Sequence, residues 1–228
     1  MEQLHNGFTL ELCQGAFPLS TDSIALGGFV RLPKQAKVLD LGAGCGTLGL
    51  LLCADDATCT VTGVEIDENA HCMALRNIEA NGLSSRLSSI CADLKTVPSF
   101  LAPGSFHCCV SNPPYFNAEQ KSANSAARHE QLCTLEDLFS AASWAVRYGG
   151  DFFIVHKPER LAELCACAVN HKLEPKRLQL LRHRPGDPVS LVLLQCRKGA
   201  KPGLIIEEAC LQDASGKPSD YYRRLYHI

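Results

Sequence analysis

LDLGAGCGTLG, residues 39–49, is the stretch on which the fold turns. It ends a buried apolar run, AKVLDL, in a glycine-rich turn and opens into TLGLLLCA, an apolar stretch long enough to start a helix. A strand that passes into a helix through G-x-G-x-x-G, here Gly44, Gly46 and Gly49, begins a βαβ unit. Glycines allow the tight turn and let a ligand come up against bare backbone. Working outward, CTVTGVEI predicts a second strand, and a helix follows from Asp67 to about Asn81 with Gly82 as its stop. RLSSICAD, FHCCVS and DFFIVH predict the third, fourth and fifth strands. Thr134 caps a helix over LEDLFSAASWAVRY that runs to Gly149-Gly150, and PERLAELCACAVNHK forms another with proline in its first turn. STDSIALGGFV, ahead of the first strand, is a short helix with Ser20 or Thr21 as N-cap. RLQLLRHR and VSLVLLQCR, joined by PGDP, close the chain's core as a hairpin. The expectation is an α/β fold: a mostly parallel seven-stranded sheet, helices on both faces and a C-terminal antiparallel hairpin.

Composition bounds the class. At 228 residues the chain is read as one domain, 1–228, with a core over 37–200, an N-terminal segment 1–36 and a tail 201–228. Hydrophobic residues make up 46% and charged ones 20%, ordinary for a globular protein. No apolar run reaches the length of a membrane span, and MEQLHNGFTL has no charged head or apolar centre. A cytoplasmic protein without membrane contact is therefore expected. The thirteen cysteines include no C-x-x-C and are scattered through apolar segments, so they are read as core hydrophobes in a reducing compartment, and no metal site is expected. The net charge of −2 hides a positive segment, 171–201, with eight Lys and Arg against Glu174 and Asp187. An excess of that size can face a polyanion or simply be solvated.

In open α/β sheets ligands bind beyond the carboxyl ends of the strands. Asp40 sits just before the first glycine, where it is an awkward neighbour for the diphosphate of a nicotinamide dinucleotide. It suits instead the ammonium and sulfonium of S-adenosylmethionine. Glu65, ending the second strand, is placed to accept both ribose hydroxyls of either cofactor, and Asp93, ending the third, to accept from an adenine amino group. Asp67 reads better as the N-cap of the next helix.

SNPPYF, residues 111–116, leaves the fourth strand on this same edge. Proline restricts the residue before it, so Asn112 and Pro113 are both held extended. A rigid carboxamide oxygen then stands beside the Pro113 carbonyl, with Tyr115 and Phe116 as flat faces. A planar amine fits there. Its two hydrogens bond to Asn112 and Pro113, its ring stacks on Tyr115, and the two acceptors stabilise charge developing on its nitrogen. Orientation toward a sulfonium methyl supplies the rest.

DLGAGCG, VEID, CADL and SNPPYF, in this order, resemble the Rossmann-like class I methyltransferases with an N-P-P-Y signature. STDSIALGGF, ARHE at 127–130, KPERLAEL and HRPGDPVSLVLLQCRKGAKPG extend the likeness to bacterial tRNA adenine methyltransferases that modify a valine tRNA beside its anticodon. The resemblance implies S-adenosylmethionine as cofactor and S-adenosylhomocysteine as product. Its cofactor contacts would be Thr21, Asp22, Asp40, Gly42, Gly44, Glu65, Ile66, Ala92, Asp93, Leu94 and Asn112, under a covering segment 1–36. Asn112, Pro113 and Tyr115 would be catalytic. Pro114, Phe116, Lys121, Arg128, His129, Arg182 and Arg184 would meet a tRNA substrate. A monomer or weak dimer is expected. A protein glutamine methyltransferase, a DNA adenine methyltransferase and an RNA-binding protein with a vestigial pocket stand as alternatives. The first usually has a helical domain ahead of its glycine loop, and only 36 residues precede Lys37 here.

Overall fold

The computed structural model describes residues 1–13, 19–114 and 133–228. The first core strand, β3 (Lys37–Leu41), lies between its later neighbours β4 (Thr60–Glu65) and β6 (Phe106–Ser111). Next to β4 stands β5 (Leu87–Cys91), and next to β6 stands β7 (Val146–His156). All of these pair in parallel, with Val38 opposite both Val61 and Cys108. β9 (Val189–Lys198) runs antiparallel to β7 and to β8 (Leu173–Arg182), so the expected hairpin is present. The seven expected strands are joined by an eighth from the tail: β10 (Ile205–Cys210) pairs in parallel with β8. A separate small ladder joins β1 (Glu2–Gln3) to β2 (Thr9–Leu10).

The central strands are buried on both faces, as parallel strands under helices must be. Alternation decides which side each residue serves. Val38, Cys108, Val110, Phe153 and Leu193 join one core cluster with α1 (Thr21–Phe29) and α2 (Thr47–Asp55). Leu39, Cys109, Phe152, Ile154 and Leu194 join the other with α5 (Leu135–Ala145) and α6 (Leu161–Asn170). Truncating a fully buried phenylalanine such as Phe153 to alanine costs about 3–5 kcal/mol. The thirteen cysteines are all free thiols, and Cys53, Cys59, Cys108, Cys109 and Cys196 are buried among these apolar side chains.

Local signals fix the ends of the helices. Ser20 caps α1 through a bond from Ser23 N, and Thr134 and Asp137 close a reciprocal capping box on α5. Asp67 Oδ1 accepts from Ala70 N at 2.8 Å, so it is the N-cap of α3 (Glu68–Ala80). At the far end of α3, Gly82 N donates to Glu79 O and Leu83 N to Ile78 O, the paired bonds of a Schellman stop with Gly82 at φ +64°. One boundary departs from expectation. α5 stops at Ala145, and Val146 already pairs with Phe106 as the start of β7. The pairing then shifts register, from Phe106 opposite Val146 to Cys108 opposite Asp151, around Gly149-Gly150, where Gly149 takes φ +75° and a Cβ on Gly150 would sit 2.5 Å from His107 O. The glycines therefore form a bulge inside the strand instead of a helix stop.

The short helix α4 (Val97–Phe100) follows β5, and the tail ends in α7 (Asp220–Tyr226), which packs on α1. Gly28 makes that approach possible, because a Cβ there would collide with Leu225.

Candidate active site

Parallel pairing brings the carboxyl ends of β3, β4, β5 and β6 to one edge of the sheet, and with them Asp40, Glu65, Asp93 and Asn112. Between β3 and α2 the chain turns through Gly42, Gly44 and Gly46 at φ +75°, +55° and +87°, a region that L side chains rarely adopt. Gly42 N and Ala43 N donate to Val64 O at 2.9 and 3.1 Å, which moors the turn to β4. A Cβ on Gly42 or Gly44 would meet no atom within 4 Å, so bare backbone there faces open space. Gly49 does something else: its Cβ would lie 2.6 Å from Leu87, so this glycine serves the packing of α2 on β5.

Glu65 holds the turn from the other side. Its Oε2 accepts from Gly44 N and its Oε1 from Asp67 N, each at 2.8 Å. An ionised carboxylate has about four acceptor positions, so capacity remains for ribose hydroxyls. Asp40 is unlike it. Its side chain is 1% exposed, and neither oxygen has a hydrogen-bond partner among the described residues. Burial, and then the charge of Glu65, push its pKa up to about 8. A buried polar group without a partner is costly, and a cation placed beside it would relieve that cost. The ammonium and sulfonium of S-adenosylmethionine are such cations, and the open glycine turn gives them an approach, so the residues present fit this cofactor.

Asp93 also caps a turn, accepting from Lys95 N at 2.9 Å and lying 3.3 Å from Lys95 Nζ. Ile66 is 43% exposed, while Ala92 and Leu94 are half-buried against the core. Ala92 N donates to Glu65 O at 2.9 Å, so the ends of β4 and β5 are linked.

Asn112 is half-buried at the end of β6. Its Nδ2 donates to Ser23 Oγ at 2.9 Å, which sets the carboxamide plane and keeps Oδ1 as the acceptor end. Ser111 Oγ donates to Leu41 O at 2.7 Å and locks β6 to β3 immediately before the turn. Pro113 is half-buried and Pro114 exposed. Tyr115, Phe116, Lys121, Arg128 and His129 lie outside the described residues.

On α1, the hydroxyl of Thr21 is 3.4 Å from Tyr226 Oη, so it addresses the tail helix, and Asp22 is half-buried in the first turn. Because β8 runs parallel to β7, Arg182 and Arg184 fall at the same edge of the sheet as Asn112. Both are engaged within the chain. Arg182 bonds Asp187 O and lies 3.5 Å from Glu208, and Arg184 Nε donates to Gln212 Oε1 at 2.7 Å.

Two residues of this edge were absent from the sequence reading. Ser23 carries no motif of its own, and its role emerges only when α1 lies across the end of β6. His156 ends β7, is 2% exposed, and has its pKa depressed to about 4, first by burial and then by Arg160. It is therefore neutral near pH 7, and its Nδ1 accepts from Lys157 N at 2.8 Å.

The family model described as methyltransferase small domain matches residues 26–164. A protein of Bacteroides fragilis named tRNA1(Val) (adenine(37)-N6)-methyltransferase is 29% identical over 190 residues, covering 82% of this chain and 80% of that protein. A protein of the same name from Pseudoalteromonas translucida is 28% identical over 212 residues, covering 92% and 89%. Among solved structures, a predicted O-methyltransferase, protein Atu636 from Agrobacterium tumefaciens, superposes with a TM-score of 0.77 at 22% identity, covering 91% of this chain and 96% of that one.

Proposed function

The chain belongs to the methyltransferase small domain family and is an enzyme of methyl transfer, and from that premise we propose its substrate. It moves a methyl group from S-adenosylmethionine to the exocyclic N6 amine of an adenine in tRNA, near the anticodon. The relatives named for that reaction span most of their own length in the match, which supports the reading. The observation that carries it is the meeting, on one sheet edge, of a buried acid, Asp40, without a hydrogen-bond partner among the described residues, with a carboxamide oriented at Asn112.

The roles follow from the side chains. Asp40 takes the positive charge of the cofactor, and Glu65 accepts its ribose hydroxyls while holding Gly44 in place. Gly42 and Gly44 let the ligand lie against backbone. Ile66, Ala92 and Leu94 offer apolar surface to the adenine ring and Asp93 an acceptor for its amine, while Thr21 and Asp22 approach from α1. The bound cofactor supplies an electrophilic methyl carbon.

The target amine needs a different kind of help. Its lone pair is delocalised into the ring, so it attacks poorly. Asparagine has no basic group and cannot take its proton near neutral pH. Asn112 Oδ1 and the Pro113 carbonyl instead accept the two amine hydrogens, favour the pyramidal nitrogen and stabilise the charge that forms on it. Ser23 is a positioning residue, because it fixes which end of the carboxamide faces the amine. Tyr115 and Phe116 supply stacking faces for the base, and Pro114, Lys121, Arg128 and His129 meet the flanking nucleic acid. Arg182 and Arg184 stand at the same edge, and donors beyond their intrachain bonds can reach phosphate. An unpaired adenine beside an anticodon is cheaper to extrude than one in a duplex. The reaction belongs in the cytoplasm, with the protein acting as a monomer or weak dimer.

The test is incubation of the protein with methyl-labelled cofactor and bulk tRNA, followed by nucleoside mass spectrometry. N6-methyladenosine in tRNA is the expected product. Label in DNA alone, or in protein alone, rejects the proposal, and absence of cofactor binding by calorimetry would return the chain to a binding role.

A further inference from the structure

We propose that His5, Asp55 and His227 form a site for a divalent transition-metal ion that clasps the segment before β2 to the segment after α7. Among the described residues they make the one group of three metal-ligating side chains, with ligand atoms all within 4.8 Å of one another. They come from three unrelated places: a single 3-10 turn (His5–Gly7), the last residue of α2, and the residue that follows α7.

The geometry favours an ion over a plain ion pair. His5 Nε2 lies 2.6 Å from Asp55 Oδ1, and His227 Nε2 lies 3.6 Å from the same oxygen. Both rings thus address one carboxylate atom, yet only His5 is within hydrogen-bond range of it. His227 gains little from a merely electrostatic arrangement. Its backbone, at φ +53°, is the left-handed stop of α7, with its N–H donating to Arg223 O, and its ring stacks on His5 with centroids 3.9 Å apart. Metal–nitrogen and metal–oxygen bonds of about 2.0–2.2 Å place neighbouring tetrahedral ligands roughly 3.4 Å apart. The separations of 2.6 and 3.6 Å from Asp55 bracket that value, and the two stacked rings would have to turn for both Nε2 atoms to point at one ion. Two imidazoles and one carboxylate suit zinc, nickel, cobalt or copper better than calcium or magnesium.

The surroundings fit as well. A cavity of about 90 Å³ adjoins the three side chains, walled by Ile24, Gly27, Leu51 and the cationic Arg224, with room for a water as fourth ligand. Ile24 and Gly27 belong to α1, the helix whose Ser23 holds Asn112. An ion in the clasp would thus brace the helix that orients the carboxamide, although the site lies apart from the reacting groups.

The test uses the full chain, kept reduced with a phosphine, and titrates Co²⁺ as the probe. Thirteen thiols compete for such ions, and Co²⁺ separates the two chemistries by colour. One equivalent with visible ligand-field bands and no near-ultraviolet thiolate charge-transfer band is expected. His5→Gln and His227→Gln should each weaken it at least about tenfold, in line with the loss of one ligand. Cofactor affinity measured in parallel confirms that the variants are folded. If neither folds, melting of the unaltered chain decides: Co²⁺ should raise its Tm by linkage. Thiolate bands, undiminished affinity in both variants, or no uptake and no change in Tm at millimolar ion would each overturn the proposal.

Discussion

Asp40 and Asp151 stand on β3 and β7 of one sheet, and both are buried, at 1% and 9% exposure. Asp151 faces Arg197 across the antiparallel pair of β7 and β9, and the guanidinium grips both its oxygens at 2.9 and 3.0 Å. Asp40, nearer the carboxyl edge, has a glycine turn in front of it and no hydrogen-bond partner among the described residues. The same side chain thus stabilises the fold at one site and strains it at the other. A buried acid left without a partner where the backbone is also bare is what the proposed cofactor site requires. Where the sheet serves only itself, its acid is paired.

The comparison can be broken in several ways. The largest effect is expected at the functional edge, from Asn112→Ala, which should slow single-turnover methylation by about 10²–10³-fold, the scale of losing a transition-state acceptor. Its cofactor affinity should stay near that of the unaltered chain. A collapse of that affinity would move Asn112 from the amine to the cofactor.

Asp40→Asn comes next. Calorimetry should show cofactor binding weakened more than about tenfold, while the unliganded chain melts higher at pH 8 than the parent. The sign follows from the raised carboxyl. Below about pH 4 both the folded and the unfolded chain hold the proton. Between the ordinary value of 3.8 and about 8 the unfolded chain releases it and the folded one keeps it, so stability falls across that window. Unaltered melting in the Asn variant would mean that burial of Asp40 carries no strain. The same shift predicts that cofactor affinity rises with pH between 6 and 8, by at most tenfold per pH unit, then levels off.

Asp151→Ala should do the reverse. Removing one member of a fully buried pair costs about 3–5 kcal/mol, and Arg197, half-exposed at 45%, reduces this to about 1–2 kcal/mol in chemical denaturation. Cofactor affinity should not move. The smallest effect is expected from Ser23→Ala, which removes one hydrogen bond from the carboxamide: kcat should fall several-fold with little change in KM for cofactor, and Ser23→Thr should restore part of it. Equal losses in kcat and cofactor affinity would make Ser23 a structural residue only.

Much of this was legible in the chain. Parallel core strands are continuous apolar runs, and AKVLDL, CTVTGVEI, FHCCVS and DFFIVH stand out because both faces of each are covered. The position of Asp40 was legible because a glycine turn fixes what lies at the end of the preceding strand, and that of Glu65 because it ends the next strand of the same unit. The tail was not. β10 lies at the edge of the sheet with Ile205 and Ile206 64% and 61% exposed, so its apolar residues follow neither a buried run nor an alternation. WAVRYGG kept a helical pattern up to its glycines, yet pairing with Phe106 claimed Val146 for the sheet. Ser23 and the His5, Asp55 and His227 group depend on contacts between distant segments, which no local spacing records.

The position of β3 has a further consequence, for the way the molecule comes into being. The strand leaves the ribosome before either of its neighbours, and one of its flanks stays open until residues 106–111 have been made. Loop closure over such distances slows folding, so this sheet should assemble sluggishly and late in synthesis. Through that interval the thiols of Cys53 and Cys59, sealed in the finished protein, stand open to oxidants. A nascent chain in an oxidising setting should therefore be lost to mispaired sulfurs far more readily than the mature one.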